Sequence, residues 1–348
     1  MADVQIRIEG RAGRITLTRP KALNALTYDM CLAIDAALTG WTREDRVALV
    51  LIEAEGDKAF CAGGDIAEIY AAGRRGDYSY GRGFWRDEYR MNARIAAYPK
   101  PVVSFLQGFT MGGGVGLGCH ASHRIVTETS QIAMPECGIG LVPDVGGTYL
   151  LARAPGHLGA YLGLTGARMG PGDALHAGFA DLFLPQSDWD SAKAALIASG
   201  DVTALQATTP PEAQLATEAT RIDQAFGQGS VSAIADCLAN DDSPFAQKAL
   251  TALQRNSPLS MACTLDMLRD QGRAGTIRQA LAQEFRFTWR AMEHADFLEG
   301  IRAAIIDKDK SPRWRHKSPD SVTQAEIDAM LASLGADELT FEGLEEST

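Results

Sequence analysis

Residues 134–155, MPECGIGLVPDVGGTYLLARAP, set two carboxylates, Glu136 and Asp144, among side chains that are nearly all small or apolar. Acidic groups are seldom buried without a partner, so the segment either hides the partners of two ordinary acids or holds both for chemistry. Two acids in a water-poor wall can transfer protons, or one can attack an acyl carbon while the other manages a proton. The structural alternative makes Glu136 a strand-end residue bonded to backbone N–H groups and Asp144, after Pro143, a helix cap.

Two glycine-rich loops supply a complementary kind of group. FTMGGGVGLGCH, residues 109–120, reads as a strand ending in glycines before a helix start, whose first N–H groups have no acceptor within the helix and can hold an anion or a developing oxyanion. No start within it satisfies G-x-G-x-x-G, and the chain contains no Gly-Lys dipeptide, so neither a dinucleotide fingerprint nor a Walker loop is present. FCAGGDIAEIY, residues 60–70, repeats the strand, glycine, helix order, with Asp65 placed to cap. Two such loops after parallel strands lie together at the carboxyl end of a sheet, where ligands of α/β folds bind. His120 and His123, at i and i+3 on the expected helix, lack a third ligand nearby and read as core or surface residues, so no metal site is expected. There is no GxSxG nucleophile elbow either.

The elements that must position these groups follow from hydrophobic periodicity. Alternation over residues 4–18 predicts a β-hairpin about EGRAG. After Pro20, apolar residues at helical spacing predict a helix capped by Thr27, and RVALVLIEAEG predicts a strand buried on both faces. PVVSFLQGFT reads as one strand, HRIVTETSQIAMPE as two, and helices follow from about 145 to 180. Strands then largely stop, and residues 190–310 are alanine-rich with helical periodicity. The best division puts residues 1–190 in an α/β core with the site and 191–348 in a helical carboxyl-terminal region whose acidic last ten residues are expected to fray.

Composition excludes several functions. With 46% hydrophobic and 22% charged residues the 348-residue chain has the profile of a soluble globular protein, and no run approaches the roughly 20 apolar residues of a membrane span. A net charge of −11 argues against nucleic acid or an anionic membrane surface as partner. Six cysteines without CxxC spacing predict free thiols, and the charged, strand-like amino terminus does not read as a signal peptide, so a cytoplasmic location is expected.

Taken together, FCAGGDI, QGFTMGGGVGLG and MPECGIGLVPDVGGTYLL resemble the enoyl-CoA hydratase/isomerase (crotonase) superfamily, over roughly residues 4–316. The resemblance implies a crotonase-like α/β spiral of ββα units with a helical carboxyl-terminal region. It also implies an acyl-CoA substrate whose thioester oxygen is held by the N–H groups of Gly64 and Gly113. Hydratases of this superfamily carry one glutamate two residues after GGG; here that position is Gly116, and only Glu136 remains of the usual pair. MGGGVGL with MPE, IGL and PDVGG looks like the 3-hydroxyisobutyryl-CoA hydrolase branch, as does ADFLEGIRAAIIDKDKSPRW, residues 295–314. FWRDEYRMN, residues 84–92, matches a segment in which that branch places a substrate-contacting glutamate, here Glu88, against the plainer reading of a solvated charge. Cys137, Gly138 and Thr148 depart from the pattern.

The resemblance therefore implies hydrolysis of a short 3-hydroxyacyl-CoA, 3-hydroxyisobutyryl-CoA in valine breakdown above all. Glu136 would attack the carbonyl or activate water, Asp144 would orient the acyl hydroxyl and assist proton transfer, and Glu88 would bind that hydroxyl. No separate cofactor is implied, since CoA belongs to the substrate. Lys58, Arg74 and Arg75 are candidates for the CoA phosphates, and Asp296 and Glu299 are expected to pair with nearby arginines. An enoyl-CoA hydratase or isomerase using Glu136 alone, and a non-catalytic acyl-CoA-binding relative, are the alternatives; a homo-oligomer is open.

Overall fold

The computed structural model describes residues 3–272 and 275–343, so the end of the tail expected to fray, 344–348, lies outside the described residues. β1 (Val4–Glu9) and β2 (Ala12–Leu17) form the antiparallel hairpin, in register from Val4 with Leu17 to Glu9 with Ala12. Every later strand pairing in either sheet is parallel. β3 (Leu49–Ala54), β5 (Val102–Leu106), β7 (His123–Val126) and β9 (Leu182–Phe183) extend the first sheet in the order β1-β2-β3-β5-β7-β9. β4 (Ala59–Cys61), β6 (Phe109–Met111) and β8 (Gln131–Ala133) form a second, three-stranded sheet. The chain thus places one strand in each sheet and then a helix, three times over, which is a coil of ββα units.

Helix α1 (Tyr28–Trp41) starts where expected, because the Thr27 hydroxyl accepts from the Met30 N–H. α2 (Ala67–Arg74) and α3 (Ser79–Ala96) follow β4, and the short α4 (Gly113–Gly118) and α5 (Gly147–Leu151) follow β6 and β8. β3 is buried on both faces, as its apolar run predicts: Val50 and Ile52 join the main core with α1 and α3, while Leu49 and Leu51 meet Trp189 and Leu196 of the helix Trp189–Ser199.

The single strand expected over PVVSFLQGFT is two. Gly108 has φ +56°, and a Cβ there would lie 2.2 Å from the Lys58 carbonyl oxygen, so only glycine turns this corner. The Gln107 side chain holds the corner by donating to the Ala54 and Gly56 carbonyls, each at 2.9 Å. Beyond β9 the chain is helical; the helix Ile277–His294 lies along α3, burying Phe285 and Phe287 completely, each worth about 1.5–3 kcal/mol of burial. Among the described residues no helix is long and apolar enough to cross a membrane.

Candidate active site

The three strands of the small sheet, β4, β6 and β8, are neighbours and parallel, so their carboxyl ends open on one side. Gly64 follows the first, Gly113 the second and Glu136 the third. Gly113 opens α4, which leaves its N–H without an intrahelical acceptor. Gly64 is pinned beside it: the Leu26 N–H donates to the Gly63 carbonyl at 2.9 Å and the Asp65 N–H to the Leu26 carbonyl at 2.8 Å. Gly63 at φ +122° and Gly112 at φ +49° hold conformations that side-chain-bearing residues rarely adopt, so the glycines are needed for the loop shapes themselves.

The carboxylates converge on these loops. A Cβ placed on Gly113 would stand 2.8 Å from Glu88 Oε1 and 3.2 Å from the Gly64 nitrogen, and one on Gly112 would stand 2.8 Å from Glu136 Oε1. Glu88 comes from the buried face of α3 and is 3% exposed, so it is no solvated charge. Its neighbour Tyr89 donates its hydroxyl to Asp144 Oδ2 at 2.7 Å. Glu88, Glu136, Asp144, Gly64 and Gly113 all line one cavity of about 110 Å³, whose other walls include Ile66, Ile69, Phe84, Trp85 and Leu141. Glu88 Oε1 and Glu136 Oε2 are buried without a hydrogen-bond partner. A larger cleft, about 560 Å³ among Arg290, His294, Arg315 and His316, shares no lining residue with this cavity, and the carboxylate in its wall, Glu326, is exposed and bonded to His316 and Thr323.

A sequence model of the enoyl-CoA hydratase/isomerase family matches residues 12–331. The chain belongs to that family. A solved structure described as an enoyl-CoA hydratase from Rhodobacter sphaeroides 2.4.1 is 60% identical, with TM-score 0.96 over 98% of this chain and all of that one. One described as a carnitinyl-CoA dehydratase from Mycobacterium thermoresistibile is 41% identical, with TM-score 0.94 over 99% of this chain and all of that one. The 3-hydroxyisobutyryl-CoA hydrolase, mitochondrial, of Gallus gallus is 38% identical over 97% of this chain and 91% of its own length. The fold expected from the motifs is therefore the one present.

Within this family member, position 116 has no room for an acid. A Cβ on Gly116 would lie 2.7 Å from Val145 Cβ and 2.8 Å from Asn92 Nδ2. The acids facing Glu136 come instead from α3 and from the loop before α5. Burial pushes all three up. Glu88 rises well above the usual carboxyl range through burial and then Asp144; Glu136 does so through burial and then the charges of Asp144 and Glu284. Asp144 is pushed up to about 7 by burial, against the Tyr89 hydroxyl that favours its charged form.

Several expectations need correction. Asp144 does not cap α5: Glu284, from the helix Ile277–His294, accepts from the Gly146 N–H at 2.7 Å and the Thr148 N–H at 2.9 Å. Asp65 does not cap α2 either, but pairs with Arg19 at 3.0 Å. His120 and His123 are not on a helix, because α4 stops at Gly118. His120 is buried with Nε2 2.8 Å from the Val145 carbonyl, and burial lowers it to about 4, so the ring is neutral and Nε2–H donates. Glu299 does pair with Arg302, at 2.8 Å, whereas buried Asp296 accepts from the Ser257 hydroxyl and the Arg315 backbone. Lys58, Arg74 and Arg75 are exposed, as groups that meet the phosphates of a bound ligand would be, and Arg74 lines a separate pocket with Arg302, Arg313 and Arg315.

The sequence alone singles out neither Tyr89 nor Glu284, and marks His120 only as a core or surface histidine. For Glu284 a signal existed: it sits in line with Leu281, Thr288 and Ala291, so an acid occupies the buried stripe of an amphipathic helix.

Proposed function

We propose that the protein hydrolyses the thioester of a short 3-hydroxyacyl-CoA, with 3-hydroxyisobutyryl-CoA as the first substrate to test and valine breakdown as its setting. The observation that carries this reading is the set of three buried carboxylates around two glycine loops, with position 116 closed to the hydratase acid. The thioester oxygen sits between the Gly64 and Gly113 N–H groups, each such donor being worth about 2.7–4 kcal/mol to the transition state. Glu136 attacks the carbonyl carbon to give a mixed anhydride that water then cleaves, or takes a proton from water as it attacks; in both routes CoA leaves as the thiol. Asp144 orients the acyl hydroxyl and assists proton transfer. Glu88, whose protonated form burial and the nearby Asp144 favour, donates a hydrogen bond to the same hydroxyl in that form.

The names of the Rhodobacter and Mycobacterium proteins favour a second reading, hydration or dehydration of a double bond. That reaction needs one group to activate water and another to manage the α-proton, and the family's first acid for it is missing at Gly116. Thiol release over a panel of short acyl-CoAs, run beside crotonyl-CoA hydration with Glu136→Gln and Asp144→Asn as controls, separates the two. Hydration far faster than thioester cleavage, or full activity in both variants, rejects the hydrolase reading. Oxygen-18 entering Glu136 during single turnover in labelled water selects the anhydride route. The six free thiols suit a reducing interior, cytoplasmic by our reading, although the Gallus gallus relative is named mitochondrial.

A further inference from the structure

Asp144 is followed by a residue in an unfavourable conformation. Val145 has φ +55°, the left-handed region that a β-branched side chain avoids, so its surroundings must impose it. They do so from two remote elements. His120, in the turn after α4, donates Nε2–H to the Val145 carbonyl at 2.8 Å. Glu284, on the helix Ile277–His294, receives the Gly146 N–H on one oxygen and the Thr148 N–H and hydroxyl on the other. The turn is closed by the Gly147 N–H on the Asp144 carbonyl at 2.7 Å. Neither His120 nor Glu284 lines the cavity.

We propose that Glu284 and His120 are positioning residues for Asp144, clamping the Val145 turn from both sides so that the Asp144 carboxylate meets Tyr89 and the cavity at one fixed place. The three donors on Glu284 also serve as the cap that α5 lacks in its own sequence, since its N-cap is Gly146. The turn thereby joins the helical carboxyl-terminal region to the loop that carries the chemistry. The inference rests on the proposed role of Asp144.

The test compares His120→Leu, His120→Gln, Glu284→Gln and Asp144→Asn in thiol release with the best substrate of the panel, with thermal melting of each variant. A misplaced carboxylate should lower kcat by about 10- to 100-fold in His120→Leu and Glu284→Gln with little change in KM. His120→Gln, which can still donate to the Val145 carbonyl, should recover most of that loss. The titratable groups that sense Glu284 are Asp144, Glu136 and Tyr89. Burial pushes Glu284 itself up to about 8, so it carries little charge on the acidic limb, and both Glu284→Gln and His120→Leu should lower kcat while leaving the position of that limb in place. Should Glu284→Gln fail to fold, the pair of His120 variants decides alone. The clamp is overturned if His120→Leu keeps wild-type kcat while Asp144→Asn is inactive, or if its loss follows its melting temperature and His120→Gln restores nothing. Full turnover in Asp144→Asn removes the role of Asp144 itself, and the clamp with it.

Discussion

Asp144→Asn should trade activity for stability in a pH-dependent way. In the folded chain Asp144 takes up its proton at about 7, against 3.8 for the unburied group. Between those pH values the folded protein binds a proton that the unfolded chain has released, so stability falls as pH rises through that window and is flat above it. Above pH 7 the ionised carboxylate thus costs about 4 kcal/mol relative to a group that is neutral at every pH. Asparagine is such a group, and its carbonyl can still accept from Tyr89. Its amide NH₂ replaces an acceptor oxygen, which costs about 1–3 kcal/mol where no new partner is found. The variant should therefore be more stable than wild type by about 1–3 kcal/mol at pH 8 and less stable by up to about 2 kcal/mol at pH 4.5. Urea unfolding followed by tryptophan fluorescence at both pH values measures this, and thiol release should show kcat lower by about 100-fold or more. Stability curves that run parallel from pH 4.5 to 8 would refute the claim that Asp144 is held in a desolvated site.

Three further outcomes are expected. Gly116→Glu should not create crotonyl-CoA hydration, because its Cβ would press on Val145 and Asn92; it should lose about 1–3 kcal/mol of stability, read from its urea midpoint. Glu88→Gln resembles the protonated acid and should fold normally, while KM for a 3-hydroxyacyl-CoA rises about 3- to 10-fold and KM for the same acyl group without the hydroxyl stays put. Wild-type thiol release should fall as pH drops below about 7, since Asp144 takes up its proton there and burial also raises Glu136; an acidic limb at pH 4 to 5 contradicts the buried environment of both groups.

The loops and Glu136 were legible in the chain because each is a local signal: glycines where backbone must turn or approach closely, and a strand that runs into an acid. The hairpin, α1 with its Thr27 cap and the doubly buried β3 follow from periodicity of the same local kind. The break at Gly108 was not legible, since VVSFLQGFT reads as one continuous β-prone run and only the nearby Lys58 carbonyl shows that a side chain cannot pass.

Tertiary structure alone decided which acids are buried together. RDEYR looks like a run of solvated charge, and Glu88 is buried only because α3 packs against both α1 and the helix Ile277–His294. Asp144 after Pro143 looks like a cap, and becomes a cavity acid because Glu284, 140 residues further along, takes over the capping of α5. Periodicity records which face of an element is apolar, but not which distant element covers it. The chain therefore marked the glycine loops and the candidate acids by itself, while the burial that shifts three acids, and the clamp that aims one of them, arose only when remote segments packed together.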